Sequence, residues 1–172
     1  MKRIITFILA IATVSLLGSC VKNELPVFTA PVAEFDAATY NANAAGLSFP
    51  ILTRVPGYGR AVIAATDPLL TRTSPGIKKF RVNLIGKQLS TDSDVYVILN
   101  NVTSTAVAGK HYKQFSQVVK IPANSSFGEM EVEILNPGTA GAEVDLELIL
   151  STGTNGITAN PNYNKIRLRI AQ

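Results

Sequence analysis

From Ile77 onward, apolar and polar residues alternate with a period of two, as expected of strands that bury one face. In IKKFRVNLI, Phe80, Val82 and Leu84 fall on one side and Lys79, Arg81 and Asn83 on the other. Met130, Val132 and Ile134 alternate with Glu129, Glu131 and Glu133. Val144, Leu146, Leu148 and Leu150 alternate with Asp145, Glu147 and Ile149, and Ile166, Leu168 and Ile170 with Lys165, Arg167 and Arg169. DVYVILN is apolar on both parities, with Val95, Val97 and Leu99 opposite Tyr96 and Ile98, which predicts a mid-sheet strand covered on both faces. The runs are short, Gly, Pro, Asn or Asp bounds each one, and no segment carries a helical period. The pattern predicts one all-β, antiparallel sandwich over residues 47–172, with Phe80, Val97, Leu99, Val132, Leu146, Leu148 and Leu168 inside.

Turn chemistry completes the outline. LSFPILT and GRAVIAAT are separated by VPGYG, whose Pro56-Gly57 step favours a tight turn, so the two runs are expected to pair as a hairpin. The loop DPLLTRTSPG follows. An antiparallel pairing of the last two strands sets Asp145 and Glu147 across from Arg167 and Arg169, and these charges read as exposed register and solubility devices worth about 0.2–1 kcal/mol per pair. Residues 20–46, rich in Ala, Asn, Thr and Pro, read as a tether in which Phe28, Val32 and Phe35 could dock as an edge strand.

The start of the chain changes the picture. MKRIITFILAIATVSLLGSC has a basic beginning, an apolar run from Ile4 to Leu17 and then Gly18, Ser19 and Cys20, the layout of a secretory signal. The run is shorter than the roughly 20 residues that span a bilayer. The single cysteine follows Leu17-Gly18-Ser19, which resembles the lipobox of bacterial lipoproteins. The resemblance implies a signal peptide over residues 1–19, a diacylglycerol on Cys20 and membrane attachment through it. Lipidation also accounts for a lone thiol in an exported chain, which has no internal disulfide partner. The second position after Cys20 is not Asp, and Lys22 followed by Glu24 is similar to the surface-export signal of Bacteroidetes lipoproteins, with Asn23 where an acid is preferred. The expected location is the outer membrane, lipid-anchored and exposed at the cell surface.

Charge adds little. The net charge of +4 includes Lys2 and Arg3; removing these from the 16 basic residues leaves 14 against 12 acidic ones. A nearly balanced chain with scattered cations argues against nucleic acid, which calls for a clustered basic stripe.

One stretch carries a family pattern. TAVAGKHYKQFSQVVKIPANSSFGEMEVEIL places Thr105, Ala106, Gly109, His111 and Tyr112 at a corner, ends an extended strand in Ile121, Pro122 and Ala123, and then enters the alternating strand. It resembles the Calx-beta domains and related uncharacterised domains of Bacteroidetes surface lipoproteins, over roughly Ile77 to Ile170, which implies an immunoglobulin-like, Calx-beta-like sandwich. Gly109 permits the backbone corner, and Asn124, standing where the family has Gly, is the next best residue for a left-handed position. His111 stands where the family has Asp. With no second histidine to share a metal and no evident acid or base partner, it reads as a scaffold residue that hydrogen-bonds the backbone as Asp would. Calcium-binding members of the family cluster carboxylates in the loops, whereas this chain offers only Glu143 in NPGTAGAE and Asp92 and Asp94 before DVYVILN, so neither a metal nor another cofactor is expected.

No nucleophile elbow, phosphate loop or His-based triad is present, and the carboxylates mostly alternate on wet strand faces, so the chain does not read as an enzyme. Two functions remain. One is a glycan-binding accessory of a polysaccharide-utilisation system, with Tyr58 in PGYG and Tyr163 in ANPNYN as candidate contacts, since sugars are commonly held by aromatic faces. The other is a structural, adhesion or protein-interaction module, which the absence of Trp fits equally well.

Overall fold

The computed structural model describes residues 30–172. The expectations for the signal peptide, Cys20 and Phe28 lie outside the described residues. The elements are β1 (Val32–Phe35), α1 (Asp36–Tyr40), β2 (Ile51–Leu52), β3 (Gly76–Ile85), β4 (Ser93–Leu99), β5 (Val118–Ile121), β6 (Phe127–Ile134), β7 (Val144–Gly153), β8 (Thr158–Ala159) and β9 (Lys165–Ile170). They form two sheets, ordered β6-β3-β1-β8 and β2-β9-β7-β4-β5, packed face to face as a sandwich. No helix among the described residues is long and apolar enough to cross a membrane.

The period-two pattern sets the inner faces. Phe80, Val82 and Leu84 of β3, Met130, Val132 and Ile134 of β6, Leu146, Leu148 and Leu150 of β7 and Ile166, Leu168 and Ile170 of β9 are all buried. Of the expected core residues only Leu99 is half-buried, because it ends β4 where the chain leaves the sheet. β3 and β6 pair with Arg81 opposite Glu129 and Lys79 opposite Glu131. At the turn between β5 and β6, Asn124 has φ 59°, and at the earlier corner Gly109 has φ 77°, the left-handed values that their residue types permit.

Four sequence expectations need correction. The sandwich is mixed, since β1/β8 and β2/β9 are parallel pairs. It also begins before residue 47: Val32–Phe35 is an internal strand between β3 and β8, not an edge. Ala33 and Phe35 face the core, and β8 is held beside β1 by the Thr158 N–H donating to the Pro31 carbonyl at 3.1 Å and the Asn160 N–H to that of Ala33 at 2.8 Å. The hairpin of LSFPILT with GRAVIAAT does not form: only Ile51–Leu52 is a strand, and it pairs with β9. Residues 60–66 coil into turns because Asp67 collects the loop's donors, as described below.

The fourth correction concerns burial. β4 lies between β7 and β5 as a mid-sheet strand, but its second face is open, with Tyr96 44% and Ile98 48% exposed. Conversely, Glu147 was expected in water and is 2% exposed. The predicted register holds, with Asp145 opposite Arg169 and Glu147 opposite Arg167. The segment after β4 then folds over β7, the Thr105 N–H donating to the Asp145 carbonyl at 2.8 Å and the Glu147 N–H to Ser104 Oγ at 2.9 Å. Glu147 is thereby sealed against Arg167 and Asn100.

Candidate functional site

Between β2 and β3 the chain makes a long excursion over the outer face of the β3/β6 pair, and both of its ends are tied. The Val55 N–H donates to the Pro68 carbonyl and the Leu70 N–H to that of Thr53, each at 2.9 Å, so the loop starts and finishes at one place. Asp67 organises its interior. The carboxylate receives both ends of the Arg60 guanidinium and the Ile63 N–H, while Arg54 donates to the Asp67 carbonyl at 2.6 Å. The Arg60 hydrogen bonds, followed by that from Ile63, hold the Asp67 carboxyl down at about 2, against an ordinary 3.8.

The loop tip docks on the start of the sandwich. The Gly59 N–H donates to Asp36 Oδ2 at 2.8 Å, and the Val62 N–H to Asn41 Oδ1 at 2.9 Å. Tyr58, 42% exposed, reaches across to β6 and donates its hydroxyl to Glu129 Oε1 at 2.6 Å. Lys79 Nζ lies 3.0 Å from the other Glu129 oxygen. The Arg81 guanidinium sits 5.6 Å from the Tyr58 ring centroid and 3.9 Å from that of Phe127, within cation–π range of both. Burial, reinforced by the hydrogen bond to Glu129, pushes the Tyr58 phenol up to about 12. An exposed aromatic ring is thus fixed at its polar end by an ionised carboxylate and flanked by two cations. Beside it opens a recess of about 410 Å³, walled by Pro56, Tyr58, Arg60, Asp67 and Lys79.

Tyr163 lies on the neighbouring loop. Its carbonyl accepts from the Phe35 N–H at 2.9 Å, and its own N–H donates to the Asn160 carbonyl at 3.1 Å. The two tyrosines singled out by the sequence therefore belong to loops fastened to successive residues, Phe35 and Asp36, although Tyr163 does not wall the Tyr58 recess. Under these loops lie two buried carboxylates, Glu34 and Asp36. Burial raises the Glu34 carboxyl against the opposing hydrogen bonds from Asn160 and Asn83, and the nearby Asp36 adds to the rise. Asn83 donates to Asp36 Oδ1 at 3.0 Å, which makes this layer a polar foundation for the loops.

The sequence reading missed Arg81, Glu129, Lys79, Arg60 and Asp67. The first three had a signal, since alternation put them on outer strand faces, but their meeting depends on β3 pairing with β6. Arg60 and Asp67 had none, being loop residues in a segment read as a hairpin.

His111 lies elsewhere, at the corner before β5. Its Nδ1 accepts from the Val107 N–H at 2.9 Å, so a neutral imidazole closes the corner as a carboxylate would. Burial, with Lys110 nearby, lowers its pKa below the ordinary 6.5 and favours that state. The acids considered for calcium are engaged otherwise: Asp92 accepts from the Ala123 N–H at 2.9 Å, Asp94 faces Lys120 at 3.4 Å, and Glu143 lies 3.6 Å from Arg169. No group of three or more metal-ligating side chains occurs among the described residues.

The architecture is that of a Calx-beta sandwich. The apo form of the Calx CBD1 domain is similar at a TM-score of 0.50 and 12% identity, over 83% of this chain and 99% of that one. The Calx CBD2 domain is similar at 0.49 and 10% identity, over 82% and 87% of the two chains. A two-domain protein of unknown function from Bacteroides fragilis is similar at 0.47 and 6% identity, over 83% and 45%. The family described as Domain of unknown function (DUF4843) matches residues 72–172, and the chain belongs to that family. The comparison with curated proteins returned no match.

Proposed function

We propose that the protein is a non-catalytic lipoprotein, anchored in the outer membrane through Cys20, whose β-sandwich binds glycan at the Tyr58 recess. The reading rests on one observation: a half-exposed aromatic ring is held rigidly by the Glu129 hydrogen bond at 2.6 Å, beside an open recess that carries paired charged groups. A pyranose presents a C–H face and a ring of hydroxyls. An aromatic wall next to carboxylate and guanidinium hydrogen-bonding groups matches both, with little side-chain entropy left to lose. A role beside a polysaccharide-utilisation system belongs to the same proposal, with the aromatic recess as its support and surface anchoring through Cys20 as its premise.

The anchor is tested by membrane fractionation of the parent and of Cys20→Ala. The variant should become soluble, and full retention in the membrane would count against lipidation. Ligand class is tested by screening the Cys20→Ala protein on a glycan array.

Adhesion or protein interaction is the second reading, favoured by the open face of β4. Tyr96 and its cross-strand neighbour Val118, with Ile98 beside Ile149, leave adjacent apolar side chains in water.

A further inference from the structure

The two sheets are not closed along the side where β5 and β6 run as edge strands. At one end of that side the edges meet, since a Cβ on Gly128 would fall against the Lys120 carbonyl. Toward the other end a groove of about 500 Å³ opens, floored by Met130, Phe115 and Val118 and bordered by Glu129, Glu131 and Glu133.

The backbone along this groove is unpaired. In an antiparallel ladder, successive residues turn their N–H and C=O alternately toward one neighbour and away from it. The Leu84 N–H donates to the Ser126 carbonyl, so residue 126 and every second residue after it face β3. Odd-numbered residues of β6 face outward. Two contacts confirm this at the far end, where the Lys113 N–H donates to the Glu133 carbonyl and the Leu135 N–H to that of His111, both at 2.9 Å. At the near end Phe127 is closed by Ser125 Oγ. Between these clamps, the outward N–H and C=O of Glu129 and Glu131 and the N–H of Glu133 meet no partner among the described residues.

The side chains show which strand fits. Glu129, Glu131 and Glu133 stand in a row on the outer face; β3 sets Arg81 and Lys79 opposite Glu129 and Glu131, and at the far clamp Lys113 Nζ lies 3.3 Å from Glu133, so among the described residues Glu129 and Glu131 form ion pairs only on their β3 side, with Lys79. The same chain shows how such a row is satisfied, because Asp145 and Glu147 of β7 lie across from Arg169 and Arg167 of β9. We propose that the β6 edge takes up an extended segment of a partner protein as an added strand, one that alternates basic with apolar residues. Its cations would border the glutamate row and its apolar side chains would cover Phe115 and Val118, while its backbone completes the ladder. The open stretch, Glu129 to Glu133, spans roughly 15 Å, enough for about five residues.

The probe is a blocked, fluorescently labelled hexapeptide alternating arginine and valine, with anisotropy read against the Cys20→Ala chain. Comparison peptides replace arginine by glutamate, regroup the same residues into an arginine block and a valine block, or carry N-methyl groups on alternate amides. The alternating basic peptide should bind, and the glutamate peptide should not. The regrouped peptide and one of the two N-methyl phases should bind at least about tenfold more weakly, a loss of about 1.4 kcal/mol. Glu131→Pro removes an N–H that faces away from β3, so the ladder survives while peptide affinity falls about tenfold or more. Should Glu131→Pro fail to fold, Glu131→Lys and the N-methyl peptides decide. Equal binding of the alternating and regrouped peptides, undiminished binding by either variant, or no binding of the alternating peptide would overturn the proposal.

Discussion

The Val107 amide donates to His111 Nδ1 at 2.9 Å, and this bond makes the histidine a structural element of the corner. Asparagine can offer a carbonyl oxygen to the same N–H. His111→Asn should therefore cost at most about 1 kcal/mol, the scale of one net hydrogen bond. The parent should carry a pH dependence that the variant lacks. The folded pKa lies below 6.5 through burial, so the stabilising contribution is fully present above about pH 6.5 and is lost as pH falls through the folded value. Thermal melts from pH 8 to 5 measure the difference. Equal slopes for the two proteins would show that His111 is not held neutral, and stabilisation of the parent alone by added metal would replace the corner role with a metal site.

Tyr58 gives a second titration. With its phenol at about 12, it should give a late ionisation step, read as tyrosinate absorbance. Its raised pKa means that its contribution to stability is present below pH 10 and fades as pH rises from 10 toward 12. Tyr58→Phe should remove that late step, and Glu129→Gln should move it earlier. A parent whose tyrosines all ionise near 10 would show that the Tyr58–Glu129 bond does not form in solution.

Two ion pairs with similar sequence signatures should behave differently. Burial on its own would raise the Glu147 carboxyl, but hydrogen bonds from Arg167 and Asn100 outweigh it and the pKa is lowered. Glu147→Ala leaves Arg167 with only its longer contact to Asp145, at 3.7 Å, in a covered site and should cost about 3 kcal/mol, near the lower end for a broken buried pair. Lys79→Ala, in an exposed pair with Glu129 and Glu131, should cost less than about 1 kcal/mol. Chemical denaturation separates the cases, and equal costs would mean that the segment after β4 does not cover Glu147.

These pairs mark how far the sequence could be read. Alternation found the inner faces of β3, β6, β7 and β9 because each is a long strand with one buried face, and it found the Glu147–Arg167 register because a turn-rich link joins those strands. It could not show that residues 100–106 fold back over β7, since that depends on backbone groups of distant strands. β1 was legible only as an edge strand through Val32 and Phe35, because Val32-Ala33-Glu34-Phe35 is short and carries an acid, and its internal position comes from β3 and β8 on either side. Tyr58 was legible as an exposed turn aromatic, but its platform of Glu129, Arg81 and Lys79 was not.

The same alternation makes a direct test of register. Leu148 is fully buried between Leu99 of β4 and Ile166 of β9 in the ladder. Leu148→Ala should cost about 2–5 kcal/mol. A loss under about 0.5 kcal/mol in denaturant melts would place the side chain at the surface and the strand one residue out of register.

Glycan binding at the Tyr58 recess is tested most directly by calorimetric titration of a glycan-array ligand into the Cys20→Ala protein, with and without Tyr58→Ala. Because Tyr58 is partly exposed and its ring lies outside the core, the added substitution loses the Glu129 hydrogen bond, a cost of about 1 kcal/mol, but should leave a single cooperative melt. Removing the aromatic wall should weaken binding at least about tenfold, the equivalent of about 1.4 kcal/mol. Unchanged affinity in the Tyr58→Ala protein, or an array on which no glycan binds the parent, would contradict the account.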